Sequence, residues 1–305
     1  MQRSTLLEFD HYRYLKIAGL LITLSIMAYL VDRPATGAYG GTWLGYLFGI
    51  LSLLIAIEQV LYGIRKRLPS KFTERRKFPS IPSTQSNRRV HKADWGRHHG
   101  TALKGQLSAH VYFGIVLVVL ATLHTGFQFG WDVHTLAYAL MITVVITGFY
   151  GVYAYLRLPY LMTRNMGGMD TTDTLLVKIE DLNKLASIKS LQFSDEICSI
   201  VLKACQETLI GGNVFQQLTA YRRNCPTVKA VQQLHALGKG FKDDQLKSFN
   251  DLYATLVHKE TLVTRARQEI MYKARLEFWL YLHVPLSIAF LTALIVHIVT
   301  IFFYW

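Results

Sequence analysis

Cysteine is scarce in this 305-residue chain: there are three, Cys198, Cys205 and Cys225, and no two of them form a Cys-x-x-Cys. Without a Cys-x-x-Cys an iron–sulfur cluster carried by this chain is not expected, and a disulfide is disfavoured because all three fall in a segment expected to face a reducing cytosol. Cys198 and Cys205 stand two helical turns apart, which predicts ordinary packing as small apolar side chains. Also missing is any Gly-x-Gly-x-x-Gly after a strand-like run, so no dinucleotide-binding domain is expected. No repeat of about 20–50 residues is present, which excludes a solenoid. Acidic residues are few, 20 against 33 Lys and Arg, giving a formal net charge of +13.

What the chain has instead is apolar length. Hydrophobic residues make up 51% of it and the mean hydropathy is +0.23. Five apolar runs, at residues 14–31, 43–64, 107–127, 135–156 and 278–304, are long enough to cross a hydrocarbon core of about 30 Å at roughly 1.5 Å per residue. The first run lacks a small-residue cleavage site after it and reads as a retained helix rather than a secretory signal.

The positive charge is concentrated, and its placement argues for a membrane rather than nucleic acid. Between Arg65 and Gln106 twelve Lys or Arg face two acids, Glu74 and Asp94. The connections at Asp32 to Thr42 and Gln128 to His134 contain one basic residue, Arg33. By the positive-inside rule the first loop is cytoplasmic and the two short ones are outside. Five crossings then put the N-terminus and residues 158–277 inside and the C-terminal Trp305 outside, in an arrangement expected for a bacterial inner membrane.

The stretch from Pro69 to Pro82 reads as an irregular basic connector. After the fourth run, residues 165–169 (Asn165, Met166, Gly167, Gly168, Met169) break the helix, and residues 170–173 supply capping residues for a new one. Leu175, Ile179, Leu182 and Leu185 recur at helical spacing, as do Leu246, Phe249, Leu252, Leu256 and Val263 before a basic stretch, Arg265 to Arg275. This predicts a small helical insertion with a basic docking face. Its last helix should run from about Asp243 into the fifth crossing, since neither Gly nor Pro intervenes before Pro285, which should kink it beyond His283.

Histidine in the apolar part of a membrane helix is costly, and a functional role is the default reading. Here there are four: His110 and His124 on the third run, His283 and His297 on the fifth, each pair fourteen positions apart. Fourteen positions make about 3.9 helical turns, so both members of a pair face nearly the same way, roughly 21 Å apart along the axis. Both helices run from inside to outside, which puts His110 level with His283 and His124 level with His297; the separation is 173 residues in each case. Two facing imidazoles at each of two levels are what two bis-histidine haem irons require. The bland alternative, polar histidines bonding between helices or lining an ion path, does not explain why the spacing matches twice.

Nearby residues fit less sharply. Gly45, Gly49, Gly126, Gly148 and Gly151 would let a porphyrin approach backbone, or would mediate plain helix packing. Arg97 and Lys104 precede His110 and are candidate partners for haem propionates, or serve only topology. His98 and His99 read as solvated, Glu58 as a membrane-edge acid reaching water, and His134 as an outside loop residue. Neither His134 nor His11, His91, His235 and His258 is assigned a ligand role.

In the matched pairs His110 with His124 and His283 with His297, the chain resembles bis-histidine dihaem membrane cytochromes, a class that includes the ferric reductase-like transmembrane proteins and, more distantly, respiratory cytochrome b. The resemblance covers the third to fifth runs and leaves out the insertion. It implies two non-covalent b haems; covalent c-type attachment is excluded because Cys-x-x-Cys-His is absent. Ferric reductases continue into a flavin and nicotinamide module, whereas this sequence stops at Phe302 to Trp305. The expectation is an all-α integral membrane protein of five transmembrane helices with a dihaem helix-bundle core and a cytoplasmic helical insertion. Residues 1–157 carry four helices and the basic loop 65–106, residues 158–277 the insertion, and residues 278–305 the fifth helix. Its expected role is an electron-transfer subunit of a membrane oxidoreductase. Its partners would be membrane lipid and a quinone or a redox protein such as cytochrome c, an iron–sulfur subunit or a flavoprotein. Alternatives are a subunit that itself oxidises quinol or reduces metal, and a receptor or scaffold with structural histidines.

Overall fold

The structure is a computed structural model that describes residues 9–32, 41–67, 87–166, 172–220, 225–241 and 244–303, with side chains at 66–67, 87–104, 166, 239 and 244 outside that description. Among the described residues there is no strand. The helices are α1 (Arg13–Val31), α2 (Trp43–Arg67), α3 (Asn87–Thr125), α4 (Val133–Met166), α5 (Thr172–Ser190), α6 (Asp195–Gln206), α7 (Val214–Thr219), α8 (Pro226–Leu237) and α9 (Asp244–Phe303), with one 3-10 turn at Gly238–Gly240. Five helices, α1, α2, α3 through its Gly105–Thr125 part, α4 and α9, are long and apolar enough to cross a membrane. They cover the five apolar runs read from the sequence to within two residues at the runs' C-terminal ends. The chain divides into two compact units, Met1–Phe149 with Leu282–Trp305, and Tyr150–Tyr281.

In the first unit, α1 packs its Ala18 and Tyr29 with Leu44 and Phe48 of α2 and Val116, Leu120 and Leu123 of α3. A second cluster joins four helices: Ala56 of α2, Leu117 of α3 and Met141 of α4, with Phe290 and Leu294 of α9 packed against them. Leu117 lies seven residues from both His110 and His124, and Phe290 lies seven from both His283 and His297. The midpoints of the two histidine pairs thus share one apolar layer, which sets the register of α3 against α9.

Two differences from the sequence reading stand out here. The basic loop 65–106 is partly helical, since α3 begins at Asn87; the connector at Pro69 to Pro82 lies outside the described residues. The fourth crossing starts at Val133, not at 135, because Asp132 caps it: the Asp132 Oδ1 accepts from the Thr135 amide at 2.8 Å. Before it, Gly126 and Phe127 take left-handed φ values of 57° and 63°. They reverse the chain just beyond His124, with the Gly126 amide on Leu123 O and the Gln128 amide on Thr125 O.

The second unit is built from the last part of α4, from Tyr150 on, with α5, α6, α7, α8 and the first part of α9. Leu175 and Ile179 of α5 pack with Leu262, Val263 and Ala266 of α9. Ala186, Ile197, Val201 and Leu234 pack with Phe249, Leu252 and Leu256. Of the apolar positions read from the sequence, Leu175, Ile179, Phe249, Leu252, Leu256 and Val263 are buried in its core and Leu182 packs against it, whereas Leu185 and Leu246 are exposed. Lys259 is buried there, its ammonium donating to Ala204 O at 2.7 Å. Of the basic stretch, Arg275 donates to Leu218 O at 3.0 Å and Arg267 to Leu209 O, so both are tied to backbone within the unit. The three cysteines are free, as their spacing suggested. Helix α9 continues through Pro285.

Candidate cofactor-binding site

Each histidine pair is flanked by α2 and α4, which run opposite to α3 and α9 in this bundle. Along α2, Gly45 and Gly49 meet His124, Ala56 meets the middle layer, and Tyr62 meets His110. Along α4, His134 lies at the His124 level, Tyr138 bonds Thr122 at 2.9 Å, Met141 is in the middle layer, and Thr147 reaches His283. Between α3 and α4 the reversal is made by the short connection Gly126 to Asp132.

At the His124 level the geometry is explicit. The ring centroids of His124 and His297 are 6.4 Å apart. His124 Nδ1 lies 2.8 Å from the carbonyl oxygen of Gly45. A carbonyl only accepts, so Nδ1 carries the hydrogen and Nε2 keeps the lone pair. Close approach of α2 makes this bond possible: a Cβ added to Gly49 would stand 2.9 Å from the His124 ring. Gly49 thus lets α2 pack closely against the His124 ring. Gly126 instead ends α3 in the left-handed turn.

The other level repeats the device from the opposite side. Thr147 Oγ1 donates to Val144 O at 2.8 Å, and its oxygen lies 2.8 Å from His283 Nδ1. With the hydroxyl hydrogen committed, the oxygen is an acceptor for Nδ1–H, and Nε2 of His283 is again the lone-pair nitrogen. Gly148 leaves room beside the same ring, an added Cβ falling 3.7 Å from it. His110 stacks obliquely on Tyr62 with centroids 4.6 Å apart. Such outer partners fix the tautomer and orientation of metal-ligating histidines.

The structure adds a residue that the sequence reading left aside. His134, in the first turn of α4, lies 5.6 Å from the His124 ring and 4.7 Å from the His297 ring. Ligand atoms of His124, His134 and His297 all lie within 4.8 Å of one another. Two imidazole nitrogens on opposite sides of one metal stand about 4 Å apart for bonds of about 2.0 Å. The residues present therefore suit a metal held by imidazoles, and the fixed Nε2 lone pairs suit haem iron. Arg97 and Lys104 fall on α3, but their side chains, like those of His98 and His99, lie outside the described residues.

Glu58 is half-buried. It lines a cavity of about 210 Å³ with Leu21 and Ser25 of α1, Leu51, Leu54 and Ile55 of α2, and Phe113 and Leu120 of α3. Gln59 Nε2 donates to its carboxylate at 3.3 Å.

No protein-family model, curated protein or solved structure matches this chain.

Proposed function

We propose that this protein is a dihaem b-type cytochrome that carries electrons across a membrane, with His110 and His283 holding the inner haem and His124 and His297 the outer one. The observation that carries the reading is the repeated hydrogen bond to Nδ1: His124 to Gly45 O, and His283 to Thr147 Oγ1. It prepares Nε2 as a metal ligand at both levels, one on α3 and one on α9. When bound, haem iron supplies the one-electron chemistry. The helices supply imidazoles, spacing and an apolar layer between levels at Leu117 and Phe290.

The electron donor fits a lipid-soluble quinol, because the Glu58 cavity sets a hydrogen-bond acceptor among apolar walls beside the bundle. A redox protein on either side is the alternative partner, and the charge of residues 65–106 supports a cytoplasmic location for that loop. A pyridine haemochrome assay on the purified chain tests the function. Close to two b haems per chain are expected, and a value near zero overturns it.

A second reading rests on the convergence of His124, His134 and His297. Three imidazoles are also a site for a bare first-row transition-metal ion. Stoichiometric zinc or copper with no haem would select this reading.

A further inference from the structure

Three imidazoles meet at the outer level, and they are not equivalent. His124 is anchored, with Nδ1 bonded to Gly45 O and its ring held closely over Gly49. Among the described residues, no hydrogen bond reaches a ring nitrogen of His134 or of His297. These two rings lie 4.7 Å apart, at 5.6 and 6.4 Å from His124 respectively. One fixed imidazole thus faces two unfixed ones that come from different helices, α4 and α9.

We propose that His134 is an exchangeable axial ligand of the outer site, able to take the place of His297 opposite His124. The inference rests on the dihaem reading and refines its ligand set. Exchange forms one metal–nitrogen bond and breaks one, with no change in protons, charge or oxidation state. Either donor would be a neutral imidazole, so a haem iron held there would keep two histidine ligands in either arrangement. The chain reversal at Gly126 and Phe127 and the Asp132 cap hold His134 at this level. A loop histidine reaching in from solvent has no such support. The exchange decides whether the outer site is tied to α9, which also carries His283, or to α4.

The test compares full-length His297→Ala with the double variant His134→Ala, His297→Ala, by haem count and by optical and paramagnetic resonance spectra. His297→Ala should keep the second haem in a six-coordinate low-spin form. The double variant should lose that haem or turn it five-coordinate and high-spin. Added imidazole should then restore the low-spin spectrum of the double variant, which separates a missing ligand from a collapsed fold. A five-coordinate or lost haem in His297→Ala alone overturns the proposal, as does failure of imidazole to restore the double variant. Absence of haem from the unmodified chain is a different result, and it removes the dihaem reading itself.

Discussion

The hydroxyl of Thr147 has one hydrogen, and Val144 O takes it. That single commitment makes the oxygen an acceptor for His283, so Thr147→Val should act through His283 rather than through packing. Loss of such an outer partner typically costs about 10–100-fold in metal affinity. We expect Thr147→Val to weaken retention of the inner haem on that scale while the outer spectrum is unchanged, as read by titrating haem back into the stripped protein. His110→Ala and His283→Ala should alter that same spectral component, since their register pairs them; effects on two different haems would break the two-level arrangement. The four membrane histidines were legible because a fourteen-residue spacing on a helix needs nothing beyond the sequence. Thr147 was not, since a threonine in an apolar helix commonly bonds its own backbone, and only the partner across the bundle distinguishes this one.

At the scale of the element, the start of α4 depends on Asp132. The Thr135 amide holds its carboxyl below the usual carboxylate range, with smaller help from the Thr135 side chain, His134 and His297. A depressed folded value means the carboxylate form stabilises the helix above the unfolded value, and the contribution is lost as pH falls through the folded one. Hydrogen exchange at the amides of residues 134–136 should therefore quicken below about pH 4, the ordinary range of an aspartate. Asp132→Asn keeps a capping oxygen and should remove that pH dependence. The same cap explains why His134 was misread. Seven residues between two apolar runs look like a loop, and the sequence does not reveal that the last two already belong to the helix. In the second unit, apolar periodicity located most of the packing, though Leu185 and Leu246 at the same spacing are exposed. Leu252 is fully buried against α6 and α8 neighbours, and Leu252→Ala should destabilise that unit by about 2–5 kcal/mol. Faster proteolysis within residues 172–241 of the full chain would report it; an unchanged rate would contradict its place in the core.

Over the whole molecule, five helices suited to crossing a membrane agree with the apolar runs, and the charge distribution predicts residues 65–106 on the cytoplasmic side. A cysteine placed at Ser83 should resist impermeant thiol reagents applied outside intact cells; labelling there would invert the topology. The insertion was legible as helical but not as a docking face. Two of its basic residues, Arg267 and Arg275, spend hydrogen bonds on backbone carbonyls of the unit itself, and charge counted along a sequence does not separate those from residues left to a partner.

The register that pairs α3 with α9 has a consequence for synthesis. The second histidine of each level follows the first by 173 residues. At about 5–20 residues per second, a ribosome needs roughly 10–35 s to cover that distance. Throughout that interval the nascent chain displays His110 and His124 in the bilayer with neither α9 imidazole yet made. On the dihaem reading, a cofactor arriving early would find His110 alone at the inner level but His134 of α4 already beside His124 at the outer one, so the emergence of α9 is the event that would close the inner site.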